Sequence, residues 1–452
     1  MAAAEQDSRA DRTLSLLLRP FAKVEPAEAI TVSVLTVTVF LLLSAYYLLK
    51  TAREPLILLH GGAEVKSYAA AGQAVLLLGF VQVYGWVAKK VGRMRLLIGV
   101  YSFFVANLVL FAVLTRAGLA VAVPFYLWVG VYNYTSIAQF WGYASDVYTP
   151  DQGKRLFAVI GIGSSVGAVA GAQLAKSLVP LGPEALMLGA AILLGVCCGL
   201  LAWVNARLEA PAPAAAKEAD NKPLSQESAF SLLAHDKFLL LVAGLTLFTN
   251  WCNSNGEYIL DRTLLAAVPP GSSPKEAAIF LGQFKAEYFE WVNVLGVVLQ
   301  LFAVSRILDK LGVRAALFFL PIVAFGGYTV MLVSPVLSLI RLAKVAENSL
   351  DYSVQNTARQ ALYLVATRVE KYVGKTAVDS FFVRIGDVLS AGVVALGAKL
   401  ALSTSAFAAI NLTLILVWLF FVVLVGREHR RRSEELEQQG AGSAAQLSAV
   451  AT

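Results

Sequence analysis

The chain has 452 residues, 58% of them hydrophobic, and its mean hydropathy is +0.68. A soluble protein of this length does not need so much apolar surface for its core, so the composition indicates a membrane protein. In a soluble protein the net charge of +7 would suggest a nucleic-acid partner. In a membrane protein, basic residues instead set the orientation and contact anionic lipids, so we expect membrane lipids and no nucleic acid as partners.

Apolar stretches long enough to cross a bilayer recur along the whole chain. Windows of about 20 residues match the roughly 30 Å of hydrocarbon. They predict an all-α membrane protein with twelve transmembrane helices. The predicted spans centre near residues 40, 79, 105, 130, 168, 194, 249, 293, 322, 350, 387 and 415. The tenth span is much more polar than the others.

The distribution of Lys and Arg predicts the orientation of these spans, because cytoplasmic loops carry the excess of positive charge. One side of the predicted membrane holds 24 of the 37 basic residues, together with both ends of the chain. The other side holds six, which are Lys66, Arg116, Lys176, Arg262, Lys275 and Lys399. The remaining seven, among them Lys285, fall inside spans. Residues 1–27 and 427–452 are therefore predicted to be cytoplasmic.

A polar segment, residues 209–230, separates six predicted spans from six. It predicts two six-helix bundles, residues 28–208 and 231–426, joined by a cytoplasmic linker. GWVAKKVGRMR in the first half contains Gly92, and the similar SRILDKLGVRA contains Gly312, 220 positions later. Two further stretches with Gly-Lys lie 221 positions apart. These offsets favour a parallel repeat; the alternative is that the positive-inside rule alone produces similar basic loops.

The first span ends in the charged motif KTARE. At about 100° per residue, Lys50, Arg53 and Glu54 occupy one sector of an α-helix. Charged side chains within a membrane face a water-filled path or one another rather than lipid. We therefore expect all three to face an aqueous cavity and to bind the substrate. The alternative is a structural ion pair between Lys50 and Glu54 near the end of the span.

The tenth span carries a polar stripe in steps of three or four residues. Its members are Arg341, Lys344, Asn348, Asp351, Gln355 and Arg359. Against hydrocarbon each central charge would cost at least about 2.5 kcal/mol, so the stripe is predicted to line a wet path and to bind the substrate. The alternative is a cytoplasmic amphipathic helix, which would leave eleven spans. Asn133 in the fourth span and Glu257 in the seventh complete the predicted substrate site.

Among these intramembrane groups, five basic side chains accompany three acidic ones. An excess of Lys and Arg favours an anion, and several fixed cations suit phosphate or several carboxylates. Arg384 and Asp387, one helical turn apart, are predicted to pair. The GKT stretch at 374–376 lacks the glycine that a phosphate-binding loop needs, because Val369 stands at that position. We expect no enzyme, no cofactor and no metal site.

The loop after the second span resembles a gating signature of the major facilitator superfamily, G-x-x-x-D-R-x-G-R-R. Lys89 takes the place of the aspartate in this copy, whereas Asp309 matches it in the second half. These loops, the central linker and the six plus six spans together resemble a major facilitator fold. The resemblance implies two bundles that rock around a site near the middle of the membrane, with Gly92 and Gly312 in gating loops.

Three longer stretches resemble the nucleotide transporter family, the ATP/ADP translocases of plastids and intracellular bacteria. They are YYLLKTAREPLIL, FWGYASDVYTPDQGKRLFAVIGIGSSVGAVAG and KYVGKTAVD, and the likeness extends over about residues 28–426. The resemblance implies that KTARE corresponds to a basic motif in span one and Glu257 to an acidic residue in span seven. Lys371 and Lys375 correspond to a Lys-x-x-x-Lys pair, which we assign to gating.

This sequence departs from the family pattern at two places. The family's lysine early in span two falls near Ala70, with Lys66 one turn away, and the acidic residue of span four has no counterpart around residues 129–133. The resemblance nevertheless implies a transporter that moves a nucleotide or related phosphorylated anion by alternating access, in exchange. It also implies a multi-pass protein of a bacterial inner membrane, and we expect a monomer.

Two other functions stay open from the sequence. One is a proton-coupled transporter of another organic anion, with Glu54 or Glu257 as the protonated group. The other is a membrane receptor or assembly subunit that binds a ligand without moving it. Uptake that depends on substrate on the far side indicates exchange, uptake that follows pH indicates proton coupling, and binding without flux indicates a receptor.

Overall fold

The computed structural model describes residues 24–88, 90–208, 236–367, 370, 374–375 and 378–450, and the regular structure in these ranges is helical. The all-α class predicted from the sequence is thus confirmed. In chain order the α-helices are α1 (Pro26–Ala88), α2 (Arg93–Arg116), α3 (Ala122–Val147), α4 (Pro150–Leu178), α5 (Pro183–Leu208), α6 (Lys237–Ala266), α7 (Pro274–Leu299), α8 (Ser305–Val333), α9 (Leu337–Leu350), α10 (Asn356–Leu362), α11 (Val383–Lys399) and α12 (Thr404–Val450).

Two glycines interrupt long helices. Gly62 within α1 has φ 72° and ψ −176°, and Gly312 within α8 has φ 77° and ψ 168°. Residues with a Cβ atom rarely adopt a positive φ, so glycine is the residue that fits both positions. Each glycine ends one helical segment and starts the next without a loop. Both α1 and α8 therefore consist of two helical segments.

Three stretches of the described chain have the wider π-helical hydrogen-bonding pattern. They are Gln300–Val304 between α7 and α8, Asp351–Gln355 between α9 and α10, and Val378–Phe382 before α11. A π turn contains one residue more than an α turn, so residues beyond it lose the 100° register. The polar stripe predicted in span ten is consequently not carried by one uninterrupted α-helix.

Six helical stretches of the described residues are long and apolar enough to cross a membrane. They are Pro26–Tyr84, Met94–Arg116, Arg155–Leu181, Pro183–Arg207, Pro274–Val333 and Thr404–Glu435. The first and the fifth have 59 and 60 residues, well beyond the roughly 20 that one crossing needs. Helices α3, α6, α9 and α11 are not among the six, and they carry several of the polar residues that the sequence pointed to.

Three glycines at four-residue spacing let α4 approach the first segment of α1. A Cβ atom on Gly167 would lie 2.3 Å from the carbonyl oxygen of Phe40, and one on Gly171 would lie 2.6 Å from the Cα atom of Ser44. Gly163 makes a similar approach one turn earlier. The Ser44 hydroxyl donates to the carbonyl of Gly167 at 3.0 Å. Small residues at this spacing allow membrane helices to pack backbone to backbone.

Side-chain caps start α4 and α6. Thr149 and Gln152 form a capping box at the start of α4, and Pro150 occupies its first turn, where a missing N–H costs nothing. Asp236 caps α6 and accepts from the N–H of Leu239 at 2.8 Å. These polar caps satisfy backbone donors at the two helix starts.

The described helices form two units. The first comprises the described residues within Met1–Asn221 and Val268–Asn293, and the second those within Lys222–Ala267 and Val294–Thr452. The linker predicted at 209–230 lies outside the described residues. The division into 28–208 and 231–426, the cytoplasmic ends at 1–27 and 427–452, and the membrane orientation therefore stay predictions.

Candidate functional site

A buried ion cluster in the first unit is centred on Glu54, whose side chain is 2% exposed. Its Oε2 atom lies 2.5 Å from Nζ of Lys66 and 3.4 Å from Nζ of Lys285. Its Oε1 atom lies 3.3 Å from Nε of Arg53. We call these four residues the Glu54 cluster. One carboxylate holds three cations, so the four groups together carry two excess positive charges.

Gly62 brings Lys66 to Glu54. In a continuous α-helix, residues twelve positions apart are separated by about 18 Å along the axis. A contact of 2.5 Å between their side chains therefore requires the chain to turn back between them, and Gly62 is where α1 leaves helical geometry. Lys285 comes from α7 and is fully buried. The cluster thus joins both segments of α1 to a helix more than 200 positions further along.

Aromatic rings hold the two basic residues of KTARE. Nζ of Lys50 lies 4.1 Å from the ring centroid of Phe289, and the guanidinium of Arg53 lies 4.6 Å from the ring centroid of Tyr126 on α3. A ring face attracts a cation without bringing a negative charge. These contacts position Arg53 within the Glu54 cluster and hold Lys50, and they add no negative charge.

Polar contacts also fix α7 to α1 and α4. Asn293 accepts from the hydroxyl of Tyr47 at 2.8 Å, and Lys176 on α4 lies 2.8 Å from Glu287. These bonds hold α7 in the register that places Lys285 at Glu54. The position of this lysine therefore depends on several helices and not on local sequence.

A second buried ion cluster lies in the second unit around Lys344 of α9. Its ammonium is fully buried and lies 3.0 Å from Oε2 of Glu347, 3.9 Å from Oε1 of Glu257, and 2.8 Å from Oδ1 of Asn253. Asn348 donates to Oε1 of Glu257 at 3.0 Å. We call Glu257, Lys344 and Glu347 the Lys344 cluster. Here one cation faces two carboxyl groups, the reverse of the Glu54 cluster.

Gly256 permits this arrangement on α6. A Cβ atom there would lie 1.9 Å from the Tyr328 hydroxyl and 2.9 Å from Nζ of Lys344. The Tyr328 hydroxyl lies 3.1 Å from Oε2 of Glu347 and 3.2 Å from the carbonyl oxygen of Cys252. A side chain at position 256 would occupy the space in which these groups meet, so glycine lets α8 and α9 bring them to α6.

Two ion pairs of the second unit involve residues that the sequence pointed to. Arg359, a member of the predicted stripe, lies 3.0 Å from Asp379, which belongs to the π-helical segment before α11. Arg384 and Asp387 pair at 3.0 Å, as predicted from their spacing. Asp387 also accepts from Asn250 at 2.8 Å. The carboxylate of Asp387 is therefore well satisfied.

The other predicted substrate residues occupy different surroundings. Arg341 on α9 and Asp351 in the π-helical segment are half-buried. Gln355 is fully buried, and neither polar atom of its amide has a hydrogen-bond partner within the described part of the chain. The same is true of Oδ1 of Asn133 on α3. These two amides keep unused hydrogen-bonding capacity.

The predicted gating residues are only partly described. Gly92 precedes α2 with φ −59°, and a Cβ atom there or at Gly312 would meet nothing within 4 Å. Lys375 donates to Oε1 of Gln360 at 2.5 Å. Lys371 lies outside the described residues. The gating role of all four remains a prediction.

Three charged members of the two clusters were not predicted from the sequence as site residues. Lys66 was assigned to a loop, which is wrong, because Gly62 turns the chain without a loop and Lys66 lies inside α1. Lys285 was recognised as a basic residue within a span, but nothing local connected it to KTARE. Glu347 lies three residues after Lys344 and to one side of the predicted stripe. A search for acidic partners at that spacing would have found it.

Comparison with known proteins identifies relatives, although no family model matches the chain. Over 353 residues it is 23% identical to ADP,ATP carrier protein 1 of Chlamydia trachomatis serovar D, covering 68% of this chain and 65% of that protein. Over 347 residues it is 23% identical to ADP,ATP carrier protein 1 of Chlamydia muridarum, covering 66% and 63%. The matched region is thus less than two thirds of either relative.

Solved structures show the same fold at low identity. A POT family transporter in complex with 5-aminolevulinic acid superposes with a TM-score of 0.62 at 13% identity, covering 87% of this chain and 96% of that one. The nucleoside transporter NupG gives 0.59 at 11% identity, with coverages of 89% and 98%. Both are transporters of the major facilitator type. The resemblance read from the sequence is confirmed: this integral membrane protein is similar to the ADP,ATP carrier proteins of Chlamydia and has a major facilitator-like fold.

Proposed function

We propose that the protein is a secondary transporter that moves a nucleotide or a related phosphorylated anion across the membrane by alternating access, in exchange. The observation that carries the proposal is the Glu54 cluster, in which Arg53, Lys66 and Lys285 surround one carboxylate. The names of the chlamydial relatives support a nucleotide as the anion.

The cluster gathers three positive charges around one negative charge. The four side chains are between 0% and 13% exposed, so little water reaches them. Several Lys and Arg side chains close together favour an anion with more than one negative charge, and they donate hydrogen bonds suited to phosphate oxygens.

The residues proposed to bind the substrate are those expected from the sequence, taken in each unit by itself. In the first unit they are Lys50, Arg53, Glu54 and Asn133, and the contacts of Glu54 are the reason to include Lys66 and Lys285 in the proposal. In the second unit they are Glu257, Arg341, Lys344, Asn348, Asp351, Gln355 and Arg359. Gly92, Gly312, Lys371 and Lys375 are assigned to gating.

We extend the proposal to twelve membrane crossings. Two of the six apolar stretches have 59 and 60 residues and contain Gly62 and Gly312, so each supplies two crossings. These eight are completed by α3, α6, α9 with α10, and α11. The polar residues of those four explain why hydropathy alone misses them. A monomer in a bacterial inner membrane with both ends in the cytoplasm completes the proposal.

The test is uptake of radiolabelled ATP into liposomes that contain the purified protein. The liposomes are preloaded in turn with ADP, a sugar phosphate, a dicarboxylate or buffer alone. An exchanger of nucleotides takes up ATP with ADP inside and not with buffer inside. Uptake that is equal in all four preparations contradicts exchange. Binding of ATP without any uptake contradicts transport and supports a receptor.

Arg53 gives the matched mutational test. Losing one partner of a buried charge-assisted contact costs about 2–5 kcal/mol, so Arg53→Ala is expected to weaken ATP binding about 30-fold to several thousand-fold. Arg53→Lys keeps the charge without the planar guanidinium and retains part of the affinity. Arg207→Ala, at the end of α5 beside Trp203, serves as the control. Normal ATP binding by an Arg53→Ala protein that melts at a lower temperature would show that KTARE is structural.

A further inference from the structure

The Lys344 cluster carries an excess negative charge when both of its carboxyl groups are ionised. Lys344 is fully buried, Glu347 is 5% exposed, and Glu257 is 25% exposed. Water next to Glu257 solvates its charge, whereas little water reaches Glu347. A buried charge that is incompletely compensated is strongly unfavourable. One proton on Glu347 removes the excess.

The contacts of the Tyr328 hydroxyl independently indicate a proton on Glu347. Its hydroxyl oxygen lies 3.2 Å from the carbonyl oxygen of Cys252 and 3.1 and 3.4 Å from the two carboxyl oxygens of Glu347. A phenol has one hydrogen and cannot donate to both partners. With an ionised Glu347, one of these contacts would join two acceptors with no hydrogen between them. A carboxyl proton on Glu347 satisfies both contacts.

Both carboxyl oxygens of Glu347 lie near the Tyr328 hydroxyl. Oε2 is 3.0 Å from Nζ of Lys344 and 3.1 Å from this hydroxyl, and Oε1 is 3.4 Å from it. When the carboxyl group is protonated, Tyr328 accepts from it and donates to the carbonyl of Cys252. Asn411 of α12 donates to the same carbonyl at 3.0 Å.

Other titratable groups around Glu347 come from each neighbouring element. On α9 is Lys344, on α6 are Cys252 and Glu257, and on α8 is Tyr328. Lys344 is the cation in contact with the cluster, and its ammonium also donates to Oδ1 of Asn253 at 2.8 Å. The surroundings of Glu347 therefore contain more acidic than basic groups.

We infer that the Lys344 cluster is a proton-binding site and that the proton resides on the carboxyl group of Glu347. Binding converts the Glu347 carboxylate into a carboxylic acid, and release returns the proton to water. Lys344 lies near both carboxyl groups. It therefore remains paired with a negative charge, that of Glu257, whether or not Glu347 is protonated. Glu257, the more exposed carboxyl, stays ionised. The site itself does not depend on the proposed function.

The use of this site does rest on the proposed function. A transporter that binds an anion at the Glu54 cluster and a proton at the Lys344 cluster carries both through its cycle. The proton then compensates part of the anion's charge. Uptake of the anion is thereby linked to the pH difference across the membrane, in addition to exchange.

Infrared difference spectroscopy of the purified full-length protein tests the site without any substrate. A protonated carboxyl group has a C=O stretching band that an ionised one lacks. We expect this band in the wild type at pH 7 and its loss in Glu347→Gln. The band should persist in Glu257→Gln and in Asp387→Asn, where Arg384 already pairs with the carboxylate. Absence of the band from the wild type, or its persistence in Glu347→Gln, overturns the inference.

Thermal unfolding of the same variants provides a second readout. Glutamine has the shape of a protonated glutamate and its amide donates to Tyr328, so Glu347→Gln is expected to melt within about 2 °C of the wild type. Burial of an ionised Glu347 predicts a much larger drop, because Lys344 would lose its partner. Such a drop contradicts the inference even where the infrared band is weak.

Liposomes then separate this inference from the proposed function. With ATP as the probe, we expect the wild type to take up more ATP when the outside is more acidic than the inside. In Glu347→Gln the ratio of uptake with and without this gradient should fall to one. A wild type that shows the carboxyl band but binds no ATP refutes the proposed function and leaves the proton site standing. ATP exchange that ignores the gradient in the wild type refutes coupling.

Discussion

The two buried ion clusters differ in the sign of their charge excess. In the first unit Glu54 holds three cations, whereas in the second unit Lys344 faces two carboxyl groups. Each cluster has a fully buried lysine that contacts a carboxyl group on a different helix. The same residue types in opposite ratio therefore suit opposite ligands, a phosphate-bearing anion in one case and a proton in the other.

The difference also concerns the contacts that hold each cluster together. Glu54 has three partners, so the loss of one cation leaves two. Lys344 is the cation that its carboxyl groups share, and its loss leaves Glu257 and Glu347 next to one another. Mutations that remove a lysine from each cluster therefore test the contrast directly.

The largest effect is expected for Lys344→Met. Breaking a buried ion pair by removing one partner typically costs about 3–5 kcal/mol, because it leaves an uncompensated charge. Lys285→Met is expected to cost less, since Glu54 keeps Lys66 and Arg53. Melting temperatures of both purified variants in detergent measure the difference. Arg430→Met, which removes an exposed pair with Glu434, is the control with almost no effect. Equal losses for Lys344→Met and Lys285→Met would contradict the contrast.

Glu54→Gln is expected to make the protein depend on added anion. The variant keeps three cations and loses the carboxylate that compensates them, which lowers its stability. A ligand at 100 times its dissociation constant adds about 2.7 kcal/mol. Pyrophosphate should therefore raise the melting temperature of Glu54→Gln more than that of the wild type. Chloride at equal ionic strength is the control, and an equal rise with both salts would show that the cluster has no phosphate site.

Gly256→Ala is expected to destabilise the second unit by about 1–3 kcal/mol through overpacking. The new methyl group would meet the Tyr328 hydroxyl, which sits on a rigid ring. Gly130→Ala in the first unit is the matched control. Its methyl group would meet the amide of Gln73, the end of a flexible side chain that turns aside. Thermal unfolding compares the two, and a larger loss for Gly130→Ala would argue against the geometry around Gly256.

The smallest effect distinguishes Gly312, which lies within α8, from Gly92, which precedes α2. Gly312→Ala places a side chain at φ 77° and ψ 168°, a strained conformation that costs about 1–3 kcal/mol. Gly92 has φ −59° and ψ 143°, which alanine adopts freely. We expect Gly92→Ala to melt at or slightly above the wild-type temperature. Equal destabilisation by both substitutions would indicate that the two glycines have the same backbone conformation.

Local patterns in the sequence predicted the helices and most of the polar positions, because hydropathy and the 100° period act over neighbouring residues. They identified KTARE and Lys344 as charges that must avoid lipid. They did not predict the partners. Lys285 reaches Glu54 from more than 200 positions away, and only tertiary packing brings the two together. Charge counting alone placed Lys66 outside the membrane.

The predicted stripe of span ten shows a different limit. Steps of three and four residues place Arg359 on the same face as Lys344 only if the helix is α-helical throughout. The π-helical segment Asp351–Gln355 inserts one residue and rotates the later residues by about 100° around the helix axis. Arg359 consequently pairs with Asp379. A single-sequence period does not reveal where such an insertion occurs.

The absence of a side chain at Gly256 helps to distinguish related sequences that can form the Lys344 cluster from those that cannot. The hydroxyl of Tyr328 and the ammonium of Lys344 lie where a side chain at position 256 would be. The Lys344 cluster therefore requires a particular combination of residues. Gly-Glu must occur at the position of Gly256 in α6, and Lys-x-x-Glu at the position of Lys344 in α9. A homologue with both short motifs has the means to assemble the cluster. One with alanine before the glutamate lacks the room, whatever its overall identity to this chain.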